Sequence, residues 1–181
     1  MKSVALFLAN GFEEIEALGT VDILRRAGID VVTTSILDKK DVVGAHNMTV
    51  VADKLFTELD FEKIDVLVLP GGMPGAKHLN KHEGLKSKVK EFALKGNNVA
   101  AICAAPMVLG GLGLLEGKKA TCYPSFESYL LGAEATSEKV VVDQNIITGK
   151  GPAFMFDFAL QLVEIISGKE KMEEVRSGLL L

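Results

Sequence analysis

The 181-residue sequence has no excess of positive charge and no long hydrophobic run. Its 20 basic and 24 acidic residues are interspersed and give a formal net charge of -4, so no basic face is available to neutralise phosphates. The apolar run near the N-terminus is interrupted by Asn10 and then by carboxylates, which is too soon for a signal-peptide core or a membrane span. We therefore expect no nucleic acid and no membrane as partner, and a cytoplasmic location.

Cofactor and metal motifs are also missing. Neither the phosphate-loop signature G-x-x-x-x-G-K-[ST] nor a G-x-G-x-x-G after the first strand is present, which argues against a nucleotide cofactor. The only histidines are His46, His78 and His82; the last two lie near the start of a lysine-rich helix, where a solvated face is favoured over a zinc site because no third ligand is in view. Cys103 and Cys122 are not spaced as a metal or redox pair. We expect no cofactor and no metal.

Apolar segments that alternate between strand and helix periodicity predict the fold class. The predicted strands cover 3–8, 29–36, 64–69, 99–102, 120–122, 140–142 and 146–148, with an extended segment over 41–52. The predicted helices cover 12–27, a segment ending near 96, 106–112, 126–131 and 152–167, with a helical turn over 55–59. This alternation predicts a doubly wound α/β sandwich with a mainly parallel central sheet. Without a linker or repeat, we expect a single domain over 1–181.

One stretch, V-A-A-I-C-A-A-P-M-V-L over 99–109, predicts a strand, a sharp elbow and a helix. Such an elbow exposes a nucleophile at the strand tip and needs small neighbours, here Ala101 and Ala105 around Cys103, while Pro106 suits the first helical turn. The helix dipole would lower the pKa of the Cys103 thiol. The alternative is an unreactive buried cysteine, a common core residue.

Two other loops meet this elbow at the carboxyl ends of a parallel sheet, where ligands bind. In the first, Glu16 shares a helical stripe with apolar residues and glycine, so it is either buried beside a cleft, where its pKa would be raised, or a rim residue paired with Arg or Lys. In the second, Gly71 and Gly72 end a buried strand, and the Gly72 and Ala104 N–H groups would form an oxyanion hole, unless the glycines only make a tight turn.

Three features have simpler or open interpretations. Glu13 and Glu14 fit first-turn acids that complement the helix dipole. His46 lies in the extended segment, and nothing in the sequence decides whether it reaches the pocket. The helix over 154–166 is apolar nearly all round, which indicates deep burial or an oligomer contact.

Four segments resemble those of the ThiJ/PfpI superfamily, specifically its Parkinson disease protein 7 (protein deglycase) branch. They are Glu13-Glu14-Ile15-Glu16, V-L-P-G-G, A-I-C-A-A-P and Gly151-Pro152, in that order and spacing. The resemblance covers essentially the whole chain and implies a flavodoxin-like fold and a homodimer. It also implies Cys103 as nucleophile, Glu16 as the carboxyl that hydrogen-bonds it, and backbone donors from Gly72 and Ala104.

The resemblance implies a cofactor-independent glyoxalase or deglycase that acts on methylglyoxal or related small aldehydes. The alternative is a redox-sensing or chaperone-like protein whose cysteine oxidises to sulfinic acid. A cysteine peptidase is disfavoured, because that branch has histidine where this chain has Ala104. The chain also has Tyr123 where the branch often has histidine, so a phenol replaces the imidazole or the role is vacant. The candidate pocket residues are Tyr123, Gly71, Gly151, Pro152 and His46.

Overall fold

The computed structural model describes residues 2–181. Its strands are β1 (Ser3–Leu8), β2 (Asp30–Ser35), β3 (Asp41–Val43), β4 (Thr49–Val51), β5 (Lys54–Leu55), β6 (Val66–Leu69), β7 (Asn98–Ile102), β8 (Lys119–Ala120), β9 (Glu134–Ala135), β10 (Val140–Asp143) and β11 (Ile146–Gly149). Its α-helices are α1 (Glu14–Arg26), α2 (Gly75–Lys81), α3 (Glu83–Leu94), α4 (Pro106–Gly111), α5 (Met155–Ser167) and α6 (Lys169–Gly178).

A seven-stranded sheet forms the centre of the molecule, in the order β10-β11-β7-β6-β1-β2-β5. β10 runs antiparallel to β11, and every other neighbouring pair is parallel. Every residue of β1 and β6 is buried, which explains their continuous apolar sequences, since a parallel strand is covered on both faces. The predicted doubly wound α/β fold with a mainly parallel sheet is confirmed.

The order of the strands positions the site. From β1 the chain moves to β2 on one side and then returns to β6 on the other side of β1. Right-handed crossovers in opposite directions place helices on opposite faces. In agreement, α1 packs against α5 and α5 against α6, whereas α2 packs against α3 and α4. The direction reverses between β1 and β6, and the loops after β1, β6 and β7 therefore meet at this edge.

Several predicted elements differ from the structure. The apolar pattern does not predict the short helix α2 or the polar helix α6. Val175 is the only buried residue of α6. The helix predicted over 152–167 begins with a 3₁₀ turn, Pro152–Phe154, before α5. The strand predicted over 120–122 is β8, which ends at Ala120, and the helix over 126–131 is a single 3₁₀ turn, Glu127–Tyr129. Within residues 2–181 no helix is long and apolar enough to cross a membrane.

Candidate active site

The elbow after β7 places Cys103 at the carboxyl edge of the sheet. Cys103 has a φ of +64°, a conformation that is uncommon for a residue with a side chain and that recurs at functional sites. Its N–H donates to the Gly149 carbonyl of β11 at 2.9 Å, which ties the elbow to the neighbouring strand. Ala104 and Ala105 are buried, so larger side chains would not fit around the turn. Cys103 is 7% exposed, so the residue is nearly enclosed.

Glu16 lies beside this thiol in the first turn of α1. The residue is 0% exposed, so the buried interpretation is the one that the structure shows, and the interpretation as a rim residue paired with Arg or Lys is wrong. Its Oε2 accepts the Gly71 N–H at 2.9 Å. Its buried Oε1 has no hydrogen-bond partner among residues 2–181. The thiol of Cys103 lies beside the Glu16 carboxyl group, close enough to interact with it.

The environment shifts both pKa values upward. Burial raises the pKa of Glu16 to about 7, against a smaller lowering by the hydrogen bond with Cys103. Burial also raises the pKa of Cys103, and the Glu16 carboxylate raises it further, while the N–H groups of Gly72 and Ala104 oppose the shift. The lowered thiol pKa expected from the sequence is therefore wrong, because desolvation and the neighbouring carboxylate outweigh the two backbone N–H groups that favour the thiolate. Near neutral pH the thiol therefore keeps its proton, and the Glu16 carboxyl beside it is partly ionised.

The two glycines that follow β6 pack closely against Cys103 and Glu16. A Cβ on Gly71 would lie 2.5 Å from Cys103 Cβ and 2.6 Å from Glu16 Oε2, so only glycine fits there. Gly72 has a φ of +90°, and its N–H faces the Cys103 sulfur together with the N–H of Ala104. The structure thus brings together five of the predicted site residues. Two backbone donors beside the sulfur suit a group that gains negative charge.

Tyr123, Gly151 and Pro152 adjoin the site from the β11 side. The Tyr123 N–H donates to the Cys103 carbonyl at 2.8 Å, and the ring is partly exposed. Gly151 packs against this ring, where a Cβ would lie 3.2 Å from Tyr123 Cδ2. Pro152 begins the 3₁₀ turn that leads into α5. Tyr123 therefore lies close to Cys103 through its backbone, and the residue is partly exposed.

His46 pairs with Glu14 and is not hydrogen-bonded to the Cys103–Glu16 pair. His46 Nδ1 lies 2.8 Å from Glu14 Oε2, and the His46 N–H donates to Glu14 Oε1 at 2.7 Å. Glu14 is only 2% exposed because the hairpin of β3 and β4 folds over it. Burial raises the pKa of Glu14 but the hydrogen bonds from His46 lower it more, and the bond to Glu14 raises the pKa of His46.

Sequence reasoning missed the role of Glu14. Glu13 acts as the helix cap, because its carboxylate accepts the Glu16 N–H at 2.7 Å. Glu14 is therefore not needed to cap the start of α1. Three acids in four residues are more than a helix start needs, and that excess is the signal that points to a second partner.

Possible metal ligands are engaged in other contacts. Glu13, Glu14 and His46 offer ligand atoms within 4.8 Å of one another, but both Glu14 oxygens already bind His46. The expected solvated face of His78 and His82 is wrong, because both are half-buried. His78 Nδ1 lies 2.8 Å from a backbone carbonyl, and His82 caps α3 by accepting a backbone N–H at 2.9 Å. Neither group supports a metal assignment.

The same fold occurs in known proteins. The model of the DJ-1/PfpI family matches residues 2–165. The chain belongs to the DJ-1/PfpI family. The resemblance to the ThiJ/PfpI superfamily drawn from the four sequence segments is thereby confirmed.

Individual relatives show how far the similarity extends. Protein DJ-1 homolog A of Arabidopsis thaliana is 41% identical over 99% of this chain, which spans 47% of that protein's length, about half of it. Deglycase PH1704 of Pyrococcus horikoshii is 31% identical over 89% of this chain and 98% of its own. Among solved structures, oxidized DJ-1 of Toxoplasma gondii has a TM-score of 0.95 and 37% identity, covering 99% of this chain and 98% of its own.

Proposed function

We propose that the protein is a cofactor-independent enzyme of the glyoxalase or deglycase type, which converts methylglyoxal or related small aldehydes through Cys103. The observation that carries this proposal is the buried Cys103–Glu16 pair, in which Glu16 Oε1 has no hydrogen-bond partner among the described residues. A relative named as a deglycase supports the same class of activity.

The chemistry follows from the groups around the sulfur. As the Cys103 sulfur adds to the aldehyde carbon, Glu16 accepts the thiol proton, and the new alkoxide lies by the N–H groups of Gly72 and Ala104. The alkoxide takes up a proton to give a hemithioacetal. Glu16, ionised again, then removes the hydrogen from the former aldehyde carbon, and a proton returns to the adjacent carbon. The resulting thioester is cleaved by water, which releases lactate and restores the thiol.

Lactate formation from methylglyoxal, with no thiol added, tests this proposal. The enzyme should form lactate, and Cys103→Ser should lose that activity. Cys122→Ser is the matched control, because Cys122 is the other buried free cysteine and should be dispensable. Equal lactate formation by the wild type and Cys103→Ser would exclude the proposed function.

A redox sensor is the second candidate, since a solved relative is described as oxidized DJ-1. Peroxide would add two oxygens to the Cys103 sulfur and give a sulfinate, with two equivalents of peroxide reduced to water. The raised thiol pKa favours the enzyme, because the thiolate is the form that attacks peroxide. Peptide mass spectrometry after mild peroxide should show oxidation of Cys103 and not Cys122 if the sensor is correct; equal or absent modification counts against it.

The proposal includes a cytoplasmic homodimer, as the family resemblance implies. Exposed apolar side chains lie on α1 and on the neighbouring β3–β4 hairpin: Ile15, Leu18, Val43, Met48 and Val51. Exposed apolar clusters often mark protein interfaces, so this face is the candidate dimer surface. Sedimentation analysis should give a dimer for the wild type and a monomer for Val51→Asp; a monomeric wild type would contradict it.

A further inference from the structure

Three aromatic side chains form a row that begins at the candidate active site. The aromatic row consists of Tyr123, Phe126 and Tyr129, with ring centroids 6.4 Å apart in the first pair and 5.7 Å apart in the second. The Phe126 N–H donates to the Tyr123 carbonyl, and the Tyr129 N–H donates to the Phe126 carbonyl, both at 3.0 Å. Residues three apart in such tight turns lie on the same side, which explains why the rings follow one another.

The first residue of the row is tied to Cys103 through its backbone. The Tyr123 N–H donates to the Cys103 carbonyl at 2.8 Å, and the Cys103 N–H donates to Gly149, two residues before Gly151. Gly151 leaves room for the ring of Tyr123, since a Cβ there would lie only 3.2 Å away. Tyr123 is still 45% exposed, so part of its surface is free to contact a ligand.

The surroundings of the row are apolar on two sides. Phe126 is partly buried and packs against the core, which holds the row in place. Exposed Met73 follows Gly72, whose N–H faces the Cys103 sulfur. The segments next to Cys103 therefore carry a thioether and an aromatic ring, groups that favour contact with apolar and aromatic substituents.

We propose that the aromatic row is a specificity wall that makes the Cys103 site select 2-oxoaldehydes with an aromatic substituent over methylglyoxal. This inference rests on the proposed function. Aromatic pairs prefer offset or edge-to-face contact, and the Tyr123 ring offers such a surface to a phenyl group. Contacts of this kind change kcat/KM by about two- to tenfold.

The test compares phenylglyoxal, converted to mandelate, with methylglyoxal, converted to lactate. The measured quantity is kcat/KM for phenylglyoxal divided by kcat/KM for methylglyoxal. This ratio in each variant is compared with the wild-type ratio, so that the different intrinsic reactivities of the two aldehydes cancel. Tyr123→Ala should lower the ratio about two- to tenfold, mainly by raising KM for phenylglyoxal. Tyr123→Phe keeps the ring and should retain the wild-type ratio. Phe156→Ala, an exposed aromatic on α5 outside the row, is the matched control and should leave both reactions unchanged.

Each result distinguishes the inference from the proposed function. If the wild type converts both aldehydes and Tyr123→Ala leaves the ratio unchanged, the specificity wall is wrong and the proposed function stands. If Tyr123→Phe loses kcat for both substrates, the hydroxyl acts as an acid or base, and the inference is overturned. If the wild type converts neither aldehyde, both fail. Tyr123→Leu, which keeps apolar volume without an aromatic face, should also lower the ratio, and it replaces Tyr123→Ala if that variant does not fold.

Discussion

Replacing Glu16 by glutamine should make the protein more stable and less active. Burial raises the pKa of Glu16 from an ordinary value of 4.5 to about 7. The folded state therefore holds this proton more tightly than the unfolded chain, and stability is lost as the pH rises from 4.5 through 7. Each pKa unit is worth about 1.4 kcal/mol, so the ionised carboxylate costs about 3 kcal/mol above pH 8. Glutamine has no charge and still offers an oxygen to the Gly71 N–H.

Urea unfolding of the wild type and Glu16→Gln at about pH 5 and pH 8.5 measures this cost. At pH 8.5 the variant should be more stable by about 3 kcal/mol, and at pH 5 by under about 1 kcal/mol. Lactate formation should fall by about a hundredfold or more, because the base is gone. Glu62→Gln, at an exposed carboxylate, is the control and should change the free energy of unfolding by less than about 0.5 kcal/mol. A variant that is no more stable than the wild type at pH 8.5 would refute the reasoning.

Two further substitutions test the packing and the neighbouring ion pair. Gly71→Ala should remove most lactate formation and lower the free energy of unfolding by about 1–3 kcal/mol, because its Cβ would lie 2.5 Å from Cys103 Cβ, whereas Gly178→Ala, with open space around it, should change neither. His46→Ala should lower the thermal midpoint most near pH 6 and little near pH 9. The pKa of His46 is raised in the folded state, so the ion pair contributes its full stabilisation below the ordinary pKa of 6.5 and loses it as the pH rises through the folded value. The pKa of Glu14 is lowered, so its carboxylate is still charged at pH 6. A loss that is equal at both pH values would contradict an ion pair.

The geometry of the Cys103–Glu16 pair could be predicted because both residues carry local signals. The small residues around Cys103 indicate an elbow, and helical periodicity places Glu16 on an apolar stripe. The pKa of Cys103 could not be predicted from the sequence. It depends on burial and on the carboxylate of Glu16, 87 positions earlier in the chain, which only the folded structure brings beside the thiol. The N–H group of Ala104, which is a local effect, lowers the pKa by less than burial and Glu16 raise it.

Contacts between distant segments account for the remaining differences. The Glu14–His46 pair joins residues 32 positions apart, and it forms only because the β3–β4 hairpin folds over the start of α1. The helix α6 buries Val175 alone, so it has no apolar stripe from which to predict it. Strands such as β1, in contrast, are apolar along their whole length, and the prediction over 3–8 is confirmed by Ser3–Leu8.

The dependence of kcat/KM for methylglyoxal on pH tests most directly the claim that Glu16 is the base for the Cys103 thiol. With Glu16 titrating at about pH 7 and the thiol at a raised pKa, the active form gains population as Glu16 loses its proton. We predict that kcat/KM rises between about pH 6 and pH 8 with a midpoint near 7. A profile that is flat over this range, or that keeps the same midpoint in Glu16→Gln, would contradict the account.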